Sequence, residues 1–343
     1  MDRARIFGMI DVAGGRGLEI GPLNKPIITR AMGPVEYIDR ATREDLQAWY
    51  GGDANLNPED IVHVDHVWTD RPLIEVVGGQ RVYDYLLGSH VIEHAPDLIG
   101  WLGEIAGVLA DGGQAVFIVP DKRHTFDIDR RPSGGAELVD AHLRGLRRPD
   151  TRQIFDNFHY FRDPETGNNR DGREPTDAAL TQSARELLGL LRHVQDTGQY
   201  VDAHCWVFTP RSMVELLDLM SRLDLLAFEI ARLEVEPGAN EFLLILRRLP
   251  ADLAPEARRA AFVASREALD LPAEALTPEE AEAMLREAQF RLDEVQAKLD
   301  DADRALEAAR HAEARLAAVE ASTSWKLTAP LRGLMGLLRG GTA

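Results

Sequence analysis

The chain has 343 residues, 45% of them hydrophobic and 28% charged, the make-up of a globular protein with room for two domains or one domain and an appendage. Its formal net charge of -18 excludes a nucleic-acid backbone as main partner, because phosphates would be repelled rather than neutralised. A single cysteine, Cys205, excludes an intrachain disulfide and fits a reducing compartment. Met1 to Ile10 is mixed and charged, unlike a secretory signal. No run approaches the ~20 apolar residues of a spanning helix, so a cytoplasmic protein is expected, at most resting on the inner face of a membrane.

From Gly17 to about Arg248 short apolar runs alternate with amphipathic stretches. Leu18-Glu19-Ile20 is a strand ended by Gly21-Pro22; Val35 to Ile38 is another, ended by Asp39; Ile61 to Val64 a third, ended by Asp65; Val82 to Leu87 a fourth, ended by Gly88-Ser89. Leu98, Trp101, Leu102, Ile105 and Leu109 then keep helical spacing, and Asp111-Gly112-Gly113 is expected to stop that helix. Ala115 to Val119 reads as a buried strand. Strands alternating with helices imply a parallel sheet covered on both faces, a doubly wound α/β fold.

Residues 121–205 break the rhythm with a segment rich in Arg, Asp, Gly and Pro and an aromatic cluster at Phe155, Phe158, Tyr160 and Phe161. A long insertion after a strand end is usually a lid or substrate element; a surface loop is the plainer alternative. A helix follows from Ser212 to Leu223, then antiparallel strands at Leu226 to Leu233 and Glu241 to Leu246. The expected division is a first domain over 1–250, a helical region over 251–321 and an amphipathic end segment over 322–343. Leu285, Ala288, Leu292, Val295, Leu299, Ala302, Leu306, Ala309 and Leu316 keep a coiled-coil seam, weakened by its alanines and by Glu313. It suggests a homodimer or hetero-assembly. Trp325 to Arg339 is basic and leucine-rich, suited to an acidic membrane surface or a partner protein.

In an open parallel sheet ligands bind beyond the carboxyl ends of the strands, where strand order reverses. Glu19, Asp39 and Asp65 stand at three successive expected strand ends. Asp39 lies about 20 residues after Glu19, the spacing at which an acid accepts both ribose hydroxyls; Asp65 suits an exocyclic amine such as adenine's. Acids at each end fit a ligand with several donors and no phosphates, and disfavour NAD, whose G-x-G-x-x-G turn is missing.

Gly17-Leu18-Glu19-Ile20-Gly21-Pro22, then Glu36-Tyr37-Ile38-Asp39, then Ser89-His90-Val91-Ile92-Glu93-His94 together resemble the class I S-adenosylmethionine methyltransferases. The likeness is narrower to a bacterial small-molecule branch with V-I-E-H after the fourth strand. Leu109-Ala110-Asp111-Gly112-Gly113 also resembles the family's L-x-P-G-G turn, with Asp111 for proline. The resemblance spans about Gly17 to Arg248 and implies a Rossmann-like methyltransferase sheet. It implies S-adenosylmethionine contact through Glu19, Gly21, Pro22, Asp39, Arg40 and Asp65, with Ser89 and His90 on the floor. It departs from the family's E-x-G-x-G-x-G, since Leu23 and Lys25 stand at the second and third glycine positions.

His90-Val91-Ile92-Glu93-His94 also matches the inverted zinc-protease signature. It follows a strand directly and Pro96 cuts short the helix such a site needs, so no metal is expected. His94 has the residue type of a general base at the acceptor mouth, or it orients the loop after the fourth strand. Asp121, Lys122, Arg123 and His124 are expected to face a hydroxyl-rich or anionic acceptor, or to form a solvated loop. His204 and Trp206 are expected to roof the site, with core burial of Trp206 as the alternative. Ser322-Thr323-Ser324-Trp325-Lys326-Leu327-Thr328-Ala329-Pro330-Leu331-Arg332 is similar to the end of bacterial surface-polysaccharide glycosyltransferases and methyltransferases. That likeness implies a glycan or other small-molecule acceptor and contact with glycosyltransferase partners. A degenerate scaffold presenting the coiled coil is the rival reading.

Overall fold

Near-continuous apolar runs give the strands two buried faces and join them in one sheet. The computed structural model describes residues 3–52, 56–170, 172, 174–271 and isolated residues at 289, 296, 304, 313–315, 318 and 321–323. The strands are β1 (Gly17–Ile20), β2 (Val35–Asp39), β3 (His66–Val67), β4 (Tyr83–Ser89), β5 (Leu109–Pro120), β6 (Phe228–Val235) and β7 (Glu241–Arg248). They stand in the order β3-β2-β1-β4-β5-β7-β6. β1 to β5 are parallel, and β7 runs antiparallel between β5 and β6. The order reverses between β1 and β4, which places a ligand crevice at their carboxyl ends.

Leu18, Ile38, Leu86, Phe117 and Leu244 bury one face of the sheet. Against them pack α3 (Leu98–Val108), α4 (Gly135–Leu143), α7 (Pro210–Arg222) and α8 (Pro255–Glu267), through Leu102, Leu138, Leu217 and Phe262. Each such side chain contributes roughly 1.5–3 kcal/mol by leaving water. Tyr37, Tyr85, Leu87, Val116, Ile118 and Ile245 bury the other face under Ile6, Ile10, Val12, Ile27 and Ile28. Among the described residues that cluster contains no α-helical side chain. Its cover is the 3-10 helix Arg3–Gly8 and the β1–β2 crossover over 21–34. Pro22, Pro26 and Pro34 in the crossover deny it a helix, so the expected helical cover on both faces is replaced there by irregular chain.

Buried hydrogen bonds fix that irregular cover. Glu19, 2% exposed, accepts from the backbone N–H of Ile27 at 2.7 Å and of Ile28 at 3.0 Å, and the Tyr37 hydroxyl donates to the Ile28 carbonyl at 2.8 Å. Gly21 (φ 62°) and Leu23 (φ 47°) both sit in the left-handed region. Leucine thus carries, at some steric cost, the backbone turn that glycine takes more easily.

The insertion between β5 and α7 is largely helical, with α4, α5 (Thr151–His159) and α6 (Asp177–Thr197). α5 and α6 share a small core of Ile154, Leu187, Val194 and Ala203. Two shorter helices, α1 (Arg43–Tyr50) and α2 (Leu73–Val76), follow β2 and β3.

Three expectations need correction. Ile61 to Val64 is not a strand: Ile61 packs with Ala41 and Leu46, with Val64 beside them, and β3 starts only at His66. Asp111-Gly112-Gly113 does not end the helix, which stops at Val108; the three residues lie within β5, where Gly112 (φ 79°) accompanies a register irregularity against β4. α8 belongs with the first unit, not with the tail. Phe262 is 1% exposed in the main core and Arg266 donates to Asp218 at 2.8 Å, so the compact unit runs from Met1 to Pro272. The second unit is Ala273–Ala343. The coiled-coil seam, apart from exposed Glu313, and the segment Trp325 to Arg339 lie outside the described residues. Among the described residues no helix is long and apolar enough to cross a membrane.

Candidate active site

β1, β2 and β4 end side by side and deliver different chemistry. Asp39 closes β2. Its Oδ1 accepts from the Arg40 N–H at 2.7 Å, and Oδ2 has no hydrogen-bond partner among the described residues. Burial pushes this carboxyl up to about 6, against the pull of Arg40. The next side chain, Arg40, lays its guanidinium 3.4 Å from the ring centroid of Tyr200, at the far end of the insertion. Tyr200 in turn donates to Asp202 at 2.8 Å.

β4 ends at Ser89, and His90 turns the chain through a left-handed conformation (φ 54°). Its Nε2 lies 2.9 Å from Glu241 Oε2 at the start of β7, while Nδ1 faces Glu93 Oε1 at 3.7 Å. Residues Ile92–His94 form a 3-10 turn rather than a helix. That turn brings Glu93, His94 and, from the end of the insertion, His204 together, with one ligating atom from each within 4.8 Å of the others. His204 arrives because the N–H groups of Cys205 (2.7 Å) and Trp206 (3.1 Å) both donate to the Glu93 carbonyl. Glu93 is fully buried, and neither carboxylate oxygen has a hydrogen-bond partner among the described residues.

A carboxylate lies against the outward nitrogen of each histidine, within hydrogen-bond geometry at His204 but not at His94. His94 Nδ1 lies 3.1 Å from Asp202 Oδ1, and His204 Nδ1 lies 2.6 Å from Asp127 Oδ2. Burial opposes charge on His94, yet Asp202 and Glu93 together hold its imidazole above the ordinary range. Burial likewise opposes charge on Asp127, but His204 and Arg130 keep its carboxyl below the ordinary range. Arg130, 2% exposed, bonds Asp127 at 2.7 Å, Asp156 at 2.8 Å and the His204 carbonyl at 2.8 Å.

The structure thus brings Gly21, Pro22, Asp39, Arg40, Ser89, His90, His94 and His204 to one end of the sheet. The other seven expected residues take different places. Glu19 lies beneath the β1–β2 crossover with both oxygens committed to backbone N–H groups, so it shapes the loop instead of presenting an acid to a ligand. Asp65 precedes β3 and stands level with Tyr37, whose N–H it accepts at 2.7 Å while also pairing Arg30 at 2.6 Å. It is therefore below the strand end, where an adenine contact would have to be. Asp121 is 1% exposed and grips Arg123 through both oxygens, so neither is free for an acceptor. Trp206 is 1% exposed, its indole N–H on the Ala95 carbonyl, and belongs to the core. Lys122 reaches the Ile128 carbonyl at 3.0 Å, and His124 is exposed.

Asp127, Arg130, Tyr200 and Asp202 were not singled out by the sequence reading. Their partners lie far along the chain, and no spacing rule connects them.

Residues 3–219, well over half of the chain, match the family described as Methyltransferase domain. No curated protein matches the chain. Among solved structures, a SAM-dependent methyltransferase from Methanosarcina mazei is 15% identical, with 71% of this chain and 97% of that one covered and a TM-score of 0.35. An S-adenosylmethionine-dependent methyltransferase from Mesorhizobium loti is 14% identical over 71% and 96% of the two chains, with a TM-score of 0.36. With its sheet order and the match over residues 3–219, the chain belongs to the methyltransferase domain family.

Proposed function

We propose that this chain transfers a methyl group from S-adenosylmethionine to an oxygen of a small-molecule acceptor, a sugar hydroxyl or carboxylate in surface-polysaccharide synthesis. The observation that carries the proposal is the pairing, at one sheet end, of Asp39 with the Glu93–His94–His204 cluster, linked by Arg40, Tyr200 and Asp202. Asp39 fits the ribose, because a part-buried carboxylate whose Oδ2 has no hydrogen-bond partner among the described residues favours a ligand that brings hydroxyl donors. The left-handed turn at Gly21 and Leu23 lets backbone approach the ligand beside it. When bound, the cofactor supplies a methyl group on a sulfonium sulfur.

The chain's own task is alignment and handling of the acceptor proton. His94, oriented by Asp202, faces the acceptor and lowers the cost of removing that proton. The glycan assignment is supported by the likeness of the 322–332 segment to polysaccharide enzymes. Incubation with methyl-labelled cofactor and a set of nucleotide sugars and sugar acids is expected to give a product heavier by one methylene. His94→Gln is expected to lower kcat by at least about 100-fold while leaving S-adenosylhomocysteine affinity unchanged. Turnover by His94→Gln at the wild-type rate would remove His94 from the chemistry. The altered glycine loop favours a scaffold as the second reading; a scaffold has no need of a working adenosine site and would bind no cofactor.

A further inference from the structure

We infer that Glu93, His94 and His204 bind one first-row divalent cation, such as zinc or manganese, at the acceptor side of the crevice. The placing of the acceptor rests on the proposed methyl transfer, but the cation site stands on the geometry alone.

Glu93 carries the first argument. A fully buried carboxylate with no hydrogen bond is costly, and this one is ringed by His90 Nδ1 at 3.7 Å, His94 Nε2 at 3.9 Å and His204 Nε2 at 3.9 Å. These separations are too long for hydrogen bonds. Around a tetrahedral ion with ligands at 2.0–2.2 Å, neighbouring ligand atoms stand about 3.3–3.6 Å apart. The two Glu93–histidine separations therefore close onto an ion with shifts of about half an ångström, while the widest pair of ligand atoms, up to 4.8 Å apart, must approach by about 1.2–1.5 Å.

The second argument is independent and concerns the far side of each ring. His90 Nε2 faces Glu241, His94 Nδ1 faces Asp202 and His204 Nδ1 faces Asp127. At His90 and His204 a hydrogen-bonded carboxylate on the outer nitrogen favours the tautomer in which that nitrogen holds the proton and leaves the inner lone pair aimed at Glu93; at His94 the Asp202 carboxylate lies 3.1 Å from Nδ1 without hydrogen-bond geometry. Metal-ligating histidines are oriented in this way. Two inward-facing imidazole nitrogens and a carboxylate around one point repel one another unless a positive charge, a proton or a cation, sits among them. Two imidazoles and a carboxylate suit zinc, manganese or iron, and leave coordination positions open. An acceptor oxygen taking an open position would have its hydroxyl pKa lowered. His94 would then ease removal of the acceptor proton by helping to hold the ion, and the proton leaves to solvent as the oxygen–methyl bond forms and the sulfur–methyl bond breaks, its electron pair returning to sulfur.

The test uses the full chain, freed of metal by chelation and titrated separately with zinc chloride and manganese chloride, with bound metal counted by elemental analysis. One ion per chain is expected, together with a rise in Tm. Glu93→Gln, which keeps the shape and removes the charge, is expected to weaken binding at least about tenfold. Asp127→Asn, which touches no ion, is expected to weaken it about 10–100-fold by loosening His204. Glu93→Gln binding metal as tightly as wild type would overturn the site. So would wild-type protein that takes up neither ion while still binding S-adenosylhomocysteine, a result that leaves the methyltransferase reading standing. Metal uptake without S-adenosylhomocysteine binding would sink that reading and leave the ion site.

Discussion

Asp39→Ala is expected to weaken S-adenosylhomocysteine binding by about 100-fold or more. Each hydrogen bond from a ribose hydroxyl to a carboxylate contributes about 1.5–3 kcal/mol, and two of them correspond to roughly two orders of magnitude or more in Kd. The same residue sets a pH dependence. Burial raises the Asp39 carboxyl to about 6 in the free protein, while hydroxyl donors favour its ionised form. Affinity should be level above about pH 7 and fall as pH drops through 6, by up to about tenfold per unit. Stability runs the other way. A carboxyl whose folded pKa exceeds its unfolded value near 3.8 stabilises the fold fully at low pH and loses that contribution as pH rises through 6. Asp39→Asn should therefore raise Tm at pH 7.5, by the equivalent of about 3 kcal/mol, while binding ligand poorly. Titrations at pH 5.5, 6.5 and 7.5 with parallel melts check both signs. Unchanged affinity in Asp39→Ala would mean the ribose contact is misplaced.

Arg130→Met is expected to be the most damaging single change outside the hydrophobic core, costing about 3–5 kcal/mol in urea unfolding. The guanidinium is 2% exposed and serves Asp127, Asp156 and the His204 carbonyl at once. Its removal leaves Asp127, also 2% exposed, as a buried anion relying on His204 alone. The double variant Asp127→Asn/Arg130→Met should recover part of the loss, because the stranded charge goes with its partner. If the two single losses simply add, the pair is not coupled and the network has been misread.

Strand ends were legible where a strand was long enough to carry a pattern. Val35 to Asp39 has alternating partners on both faces, so the position of Asp39 could be read from its own residues. Ile61 to Val64 has the same apolar character but packs in a side cluster with Leu46 and Ala41. Composition alone does not distinguish the two, and the error carried Asp65 two residues too far along. Asp111-Gly112-Gly113 misled for a related reason: glycine with positive φ serves a strand irregularity as well as a helix stop. His94 was readable as a site residue because it follows a strand closely. Its meeting with His204 depends on backbone bonds from Cys205 and Trp206 to Glu93, across more than a hundred residues. Trp206 reads equally as a platform or as core, and of these two readings the structure bears out core burial, among Cys205, Val207 and Phe208. Only the α3 and α7 packing against the sheet decides for core.

The polar network around the histidines was the least legible part. Asp127, Arg130 and Asp202 lie in a charged stretch that looks like a solvated surface, yet Asp127 and Arg130 are buried. Such burial is tolerated because each charge meets an opposite one with hydrogen-bonding geometry. Fixing two histidines beside a buried glutamate is the evident use of that arrangement.

The most direct test of the central claim is calorimetric titration of the full chain with S-adenosylhomocysteine at pH 7.5. One molecule bound per chain with micromolar affinity is the predicted result. A folded protein that binds none at millimolar concentration would contradict the account and leave a methyltransferase fold without its cofactor.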